Sequence, residues 1–180
     1  MKKQKFGLIL LLLLLISYIT VKASDVDEYF VKATMTARFP KHIEWPKDPM
    51  ENNRNLFVIA VIGKNPFGSN LEFICKKATK NNNQVQVRYI SKVEEIAESG
   101  CNLLFISKTS KKKLGEIVAF TETKPILTIS DTKGYAEMGV HINFLIKNNK
   151  LNFEINRIAI RKSGLNVNYH LFTLAARVIN

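Results

Sequence analysis

Three short, mostly apolar runs, Leu56–Ile62, 102–107 and 125–130, are separated by stretches with helical spacing. This alternation constrains the fold more than any other feature. A run such as Phe57-Val58-Ile59-Ala60-Val61 has no polar side, so it suits a strand covered on both faces. Strands of that kind alternating with helices predict an α/β fold, a mixed and largely parallel sheet flanked by helices. Residues 85–90, Val-Gln-Val-Arg-Tyr-Ile, alternate instead and predict a strand near an edge. Near the C-terminus, residues 140–147 and 150–155 read as a hairpin turning at Asn148-Asn149. No internal repeat, low-complexity stretch or linker interrupts the pattern, so a single domain is expected.

The remaining segments are placed by their breaks. Residues 26–39 carry Val26, Tyr29, Phe30, Ala33 and Ala37 at helical spacing, with Asp25 as N-cap and Pro40 as the stop. Residues 46–55 read as a loop and 71–78 as a helix. Ser91 is placed as the cap of a helix over 92–98, and Thr109 or Ser110 as the cap of a basic helix ending at Phe120. Residues 155–162 and 168–178 are expected to be closing helices, the second with an apolar stripe of Leu171, Leu174, Ala175 and Val178.

The N-terminus reads as an export signal. Lys2, Lys3 and Lys5 precede an apolar stretch over 6–16, and Val21-Lys22-Ala23 offers a cleavage site after Ala23. The apolar run is shorter than the roughly 20 residues a spanning helix requires. Residues 24–180 then form the mature domain, outside the cytoplasm. The whole chain carries 27 basic and 15 acidic residues and a formal charge of +12; loss of Lys2, Lys3, Lys5 and Lys22 leaves +8. A basic exported protein suits an anionic membrane surface or an acidic partner, and nucleic acid is not expected as its target. Lys111-Lys112-Lys113 reads as a solvated helix face.

Little in the chain announces a chemistry. His42, His141 and His170 have no second ligand at metal-binding spacing, so neither metal nor cofactor is expected. No nucleophile elbow is present, and Gly63-Lys64-Asn65 lacks the Ser or Thr that a phosphate loop needs. No catalytic residue is assigned. Asp131 and Tyr135 follow a strand at the end where α/β sheets hold ligands, although Asp131 serves equally as a cap. Trp45 is either a core anchor or a ligand- or partner-facing ring. Cys75 and Cys101 are enough for one disulfide, worth about 3 kcal/mol in the chain-entropy model, or they are two buried thiols.

Several short motifs, in order, resemble the YfiR-like periplasmic proteins. Gly139, Ile142-Asn143-Phe144, Leu151, Phe153-Glu154-Ile155-Asn156 and Gly164-Leu165 match that family's C-terminal signature. Lys32-Ala33, Phe39, Ile43 and Trp45-Pro46 match its opening. Ile62-Gly63-Lys64-Asn65-Pro66-Phe67-Gly68 with Leu71, and Cys101 with Leu104-Phe105-Ile106-Ser107, match between them. The family's Ser pair near the C-terminus is Asn168-Tyr169 here, so a partner contact on that surface would differ in specificity.

The resemblance implies a small periplasmic regulator, expected to be a homodimer. It would bind and repress the periplasmic domain of an inner-membrane diguanylate cyclase or sensor, and so control cyclic-di-GMP and biofilm formation. It implies further that a Cys75–Cys101 bridge would link redox state to binding. His170, Leu171, Leu174 and Arg177, with Trp45, Asp131 and Tyr135, are the candidate partner or ligand contacts. A small-ligand-binding module feeding a sensor kinase or transporter is the alternative, read from Gly63–Gly68 and Asp131–Tyr135. An enzyme of unrecognised type is a third reading.

Overall fold

The computed structural model describes residues 28–46, 56–78 and 84–180. The expected signal, its cleavage site, Asp25 and most of the 46–55 loop lie outside these residues. Helix α1 covers 28–38 and runs into a 3-10 turn, Phe39–His42, so Pro40 tightens the helix rather than ending it. Then follow β1 (Ile43–Glu44), β2 (Leu56–Ile62), α2 (Asn70–Ala78), β3 (Gln84–Ile90), α3 (Glu95–Ser99), β4 (Leu103–Ile106), α4 (Lys111–Thr121) and β5 (Leu127–Ser130). The chain closes with β6 (Ile142–Lys147), β7 (Lys150–Asn156), α5 (Arg157–Lys162), β8 (Asn166–Val167), α6 (Tyr169–Leu174) and β9 (Arg177–Ile179).

Seven strands form one sheet in the order β3-β2-β4-β5-β6-β7-β9. Strands β3 to β6 are mutually parallel, and β7 turns back against β6. The turn is Asn148-Asn149, both at positive φ (51° and 56°), the geometry a two-residue hairpin requires. Alternate residues of β2 enter two cores. Phe57, Ile59 and Val61 join Ala33, Phe67, Leu71, Phe144, Ile160 and Leu171 on one face; Val58, Ala60 and Ile62 join Ile96, Leu114 and Ile117 on the other. This is the two-sided burial that the apolar runs demand, and it confirms the α/β expectation.

The C-terminal segment departs from its expected form. Residues 168–178 are not one helix: α6 stops at Leu174, and β9 adds a parallel strand beside β7, pairing Glu154 with Arg177 and Ile155 with Val178. The hairpin therefore lies one strand in from the edge. The backbone of a six-residue helix gains more from sheet pairing than from one further turn exposed to solvent. Strand β8 pairs with β1 and fastens the start of the domain to its end. Helix α3 begins at Glu95, whose carboxylate accepts the Ser91 N–H at 2.8 Å, so Ser91 is held by the helix rather than capping a longer one. Ser110 does cap α4, accepting from the Lys113 N–H at 3.2 Å.

The Cys75–Cys101 bridge is not formed. Cys75 belongs to the core under α2, and Cys101 to the core on the opposite face of the sheet. A sheet between two Cβ atoms is incompatible with disulfide geometry. Burial raises both thiol pKa values, that of Cys75 to about 11.

Candidate functional site

The carboxyl ends of β2, β4 and β5 converge where parallel sheets usually leave a crevice. Here the loops after these strands are bonded to one another and to α1. After β2, Gly63 turns the chain at φ 97°, and an added Cβ there would sit 3.4 Å from Ser107 Cβ. Ser107, at the end of β4, donates to the Lys64 carbonyl at 2.7 Å. The Asn65 side chain folds the same turn on itself, accepting from the Phe67 N–H and donating to the Gly68 carbonyl, both at 2.8 Å. Phe67 is thereby driven edge-on into Phe105 at 4.6 Å and Tyr29 at 6.0 Å.

Asp131, following β5, is held from above by α1. Lys32 Nζ lies 2.7 Å from its Oδ2 and 2.6 Å from Glu28 Oε1, and the Tyr29 hydroxyl donates to the same Asp131 oxygen at 3.0 Å. The ammonium also sits 4.3 Å from the centre of the Tyr29 ring. Lys32 is only 5% exposed. Desolvation alone would lower its pKa, but the bonds to Asp131 and Glu28 outweigh it and the net shift is upward. Burial and the Asp131 charge raise Tyr29. The arrangement is a charged latch between α1 and the loop after β5. Lys32 was not singled out for this from the sequence. The available signal was a lysine on the stripe Tyr29, Ala33, Thr36, which faces the core.

Tyr135 is also committed internally. Its buried hydroxyl accepts from the Thr109 N–H at 2.9 Å and donates to the Thr109 carbonyl at 2.8 Å. Trp45 is half-buried, edge-on to Phe57 at 5.5 Å, and its Nε1–H donates to the Pro125 carbonyl at 2.9 Å, which is the anchor reading. His141 precedes β6 instead of alternating on it. Its ring Nδ1 accepts from the Thr128 N–H at 3.1 Å, while the His141 backbone N–H donates to Thr128 Oγ1 at 3.0 Å. Burial pushes its pKa down to about 4, against a smaller opposing effect from a backbone hydrogen bond at Ala159.

The C-terminal candidates separate. Leu171 is buried in the core, and it anchors α6. Arg177 reaches Glu154 at 2.6 and 2.9 Å and Glu137 at 2.8 Å, and these partners raise its pKa. Glu154 is itself buried beside Asn143 on the neighbouring strand. Asn156 caps α5, accepting from the Ala159 N–H at 2.8 Å. By contrast Tyr169 and Leu174 are 73% and 65% exposed, with His170 exposed between them. Among the described residues, no His/Cys/Asp/Glu group is arranged to hold a metal, and no helix is long and apolar enough to cross a membrane.

Comparison with known proteins follows the sequence motifs. The profile of the YfiR/HmsC-like family matches residues 29–176. No curated protein matches the chain. Two solved structures share the fold at low identity. One is the ABC domain in complex with L-Trp from Streptococcus pneumonia (11% identity, TM-score 0.55, covering 82% of this chain and 60% of that one). The other is a conserved domain protein from Vibrio cholerae O1 biovar eltor (9% identity, TM-score 0.51, covering 72% and 57%). This chain thus spans about 60% of the length of the solved structures it matches.

Proposed function

Because this chain belongs to the YfiR/HmsC-like family, we propose that it is a periplasmic regulator which binds and represses an inner-membrane signalling partner. The partner is a diguanylate cyclase, and loss of repression raises cyclic-di-GMP and biofilm formation. The family match over 29–176 carries this reading. The exposed side of α6 supports it as the contact surface. Asn168 caps that helix by accepting from the His170 N–H at 3.0 Å, and buried Leu171 holds it to the core. Tyr169, His170 and Leu174 are therefore presented outward from a fixed support, as an interface anchor should be. The resemblance places Asn168-Tyr169 where the family pattern has a Ser pair, so a partner contact on this surface would differ in specificity.

The ligand-binding alternative draws less support. The groups it would use are engaged within the chain, Asp131 by Lys32 and Ser107 by the Lys64 carbonyl.

Crosslinking the tagged protein in intact cells, then identifying the membrane protein that copurifies, tests the proposal. Recovery of a cyclase with a periplasmic domain, whose product falls when this protein is present, is the expected result. A preparation with no membrane partner, or a cyclase indifferent to the protein, overturns it.

A further inference from the structure

We propose that the carboxyl end of the parallel sheet is a docking face for an anionic phospholipid surface, carried by a row of exposed lysines. Four neighbouring strands end level with one another: Ile62 pairs with Ile90 and with Ile106, and Ile106 pairs with Ser130. Lys92, Lys64 and Lys108 each stand two residues beyond the end of their strand, β3, β2 and β4, and Lys133 stands three beyond β5. In the sheet order β3-β2-β4-β5 they follow one another across roughly 14 Å, at the usual spacing of strands. All are exposed, and among the described residues they form no ion pair. They lie outside the bonds that tie down Asp131, Ser107 and Tyr135, and those bonds hold their loops in place.

Helix α4 adds to the row. Its first turn is Lys111-Lys112-Lys113 and carries no acid. Lys113 donates to the Ser91 carbonyl at 2.7 Å, which sets this turn beside the loop after β3, and Lys111 and Lys112 are left exposed. Cations at a helix N-terminus oppose the macrodipole, so the stability of the helix does not account for them. A run that reads alone as a solvated helix face thus continues a charged surface that the sheet assembles from distant loops. The acids at this end do not cancel it. Asp131 is bound to Lys32, Glu95 accepts the Ser91 N–H, and the exposed Glu94 and Glu116 offset only part of the charge.

Two features select a lipid surface over an acidic protein. The cations are all lysine. Protein interfaces favour arginine for carboxylates and are depleted in lysine, whereas the mobile point charge of lysine suits phosphate head groups spread over a surface. The second feature is apolar. Tyr29 and Lys32 bind Asp131, so the start of α1 lies at this same end, and there Phe30 and Val31 are 41% and 39% exposed. Strand β6 is parallel to β5 and, with Asn143 opposite Ser130, runs four residues past the level of the other strand ends to Lys147. The hairpin tip therefore projects from this end too, with Ile146 54% exposed between its lysines. Apolar side chains beside a basic field are the combination that holds a protein at a bilayer interface. The face needs no partner protein and does not depend on the regulatory reading.

Flotation of the exported protein with lipid vesicles tests it. Vesicles of phosphatidylethanolamine and phosphatidylglycerol are expected to carry the protein at low salt, with binding falling steeply as salt rises, and vesicles of phosphatidylcholine are not. Lys64→Gln, Lys108→Gln and Lys133→Gln together should weaken partition about 100-fold, at about fivefold per lysine. Lys41→Gln, Lys77→Gln and Lys124→Gln remove the same charge near the amino ends of the strands and should weaken it by less than about threefold. Lys111→Gln with Lys112→Gln should weaken it about 20-fold without lowering the melting temperature, and decides the matter if the first triple variant does not fold. A native protein that leaves phosphatidylglycerol vesicles empty at low salt overturns the proposal. So does equal loss in the two triple variants, which would mean attraction by net charge alone. Inorganic phosphate that displaces the protein better than chloride at matched ionic strength would make the row a phosphate site. Binding seen only with a second protein present would make it that protein's contact. Either result overturns the lipid face equally.

Discussion

The carboxyl ends of the parallel strands and the C-terminal segment make an instructive contrast. Both were candidate sites, and both carry polar and aromatic side chains. At the strand ends these groups face one another: Asp131 binds Lys32 and Tyr29, Ser107 binds Lys64, and Tyr135 binds Thr109. On α6 the buried side is a single leucine, and Tyr169, His170 and Leu174 are left to solvent. A site whose polar groups are mutually satisfied has already spent its binding capacity on stability. A surface that leaves an aromatic ring and a leucine exposed is the one the proposed partner contact would use.

The contrast can be broken most forcefully at the latch. Lys32→Ala leaves Asp131 and Glu28 facing an emptied site, and it is expected to cost about 4 kcal/mol of unfolding free energy in a denaturant titration. A loss below about 1 kcal/mol would mean that the latch is solvated and the crevice open to ligands. On α6, Leu171→Ala should cost about 3 kcal/mol by opening a cavity in the core. Leu174→Asp should change stability by no more than about 0.5 kcal/mol while abolishing recovery of the membrane partner. Equal destabilisation by both would remove the distinction between anchor and contact.

Acid sharpens the comparison in a third place. His141 is neutral in the fold, with its pKa lowered to about 4 by burial, whereas an unfolded histidine titrates near 6.5. Below pH 6.5 the unfolded chain takes up a proton that the native protein refuses. The stability this group contributes is therefore complete above that pH and is lost as pH falls toward 4. The loss should reach about 3 kcal/mol, and His141→Gln should flatten the profile in that window. The smallest effect concerns the cysteines. Reductant is expected to leave the melting temperature unchanged, where a bridge would have lost about 3 kcal/mol.

Much of the sheet was legible in the chain because a strand buried on both faces has a local signature. Phe57 to Ile62 has to be covered twice, and Asn148-Asn149 has to turn. Residues 168–178 misled because Leu171, Leu174 and Val178 fit a helical stripe as well as they fit an anchor followed by a strand. Only the free edge of β7 distinguishes the two. Lys32 was passed over because an isolated lysine gives no sign of the carboxylate it will meet 99 positions later. The cysteines were paired by compartment, a consideration blind to the sheet between them.

By itself, then, the sequence determined the class of fold, the alternating strands and helices from β2 to β5, the hairpin turn and the family to which the motifs belong. Each of these is settled by backbone preference and by burial within a window of a few residues. The tertiary structure alone decided that α1 reaches Asp131 through Tyr29 and Lys32, that Leu171 points in and Leu174 out, and that β9 extends the sheet beside β7. Those outcomes depend on contacts between residues far apart in the chain, whose free energies exist only after the sheet has brought them together.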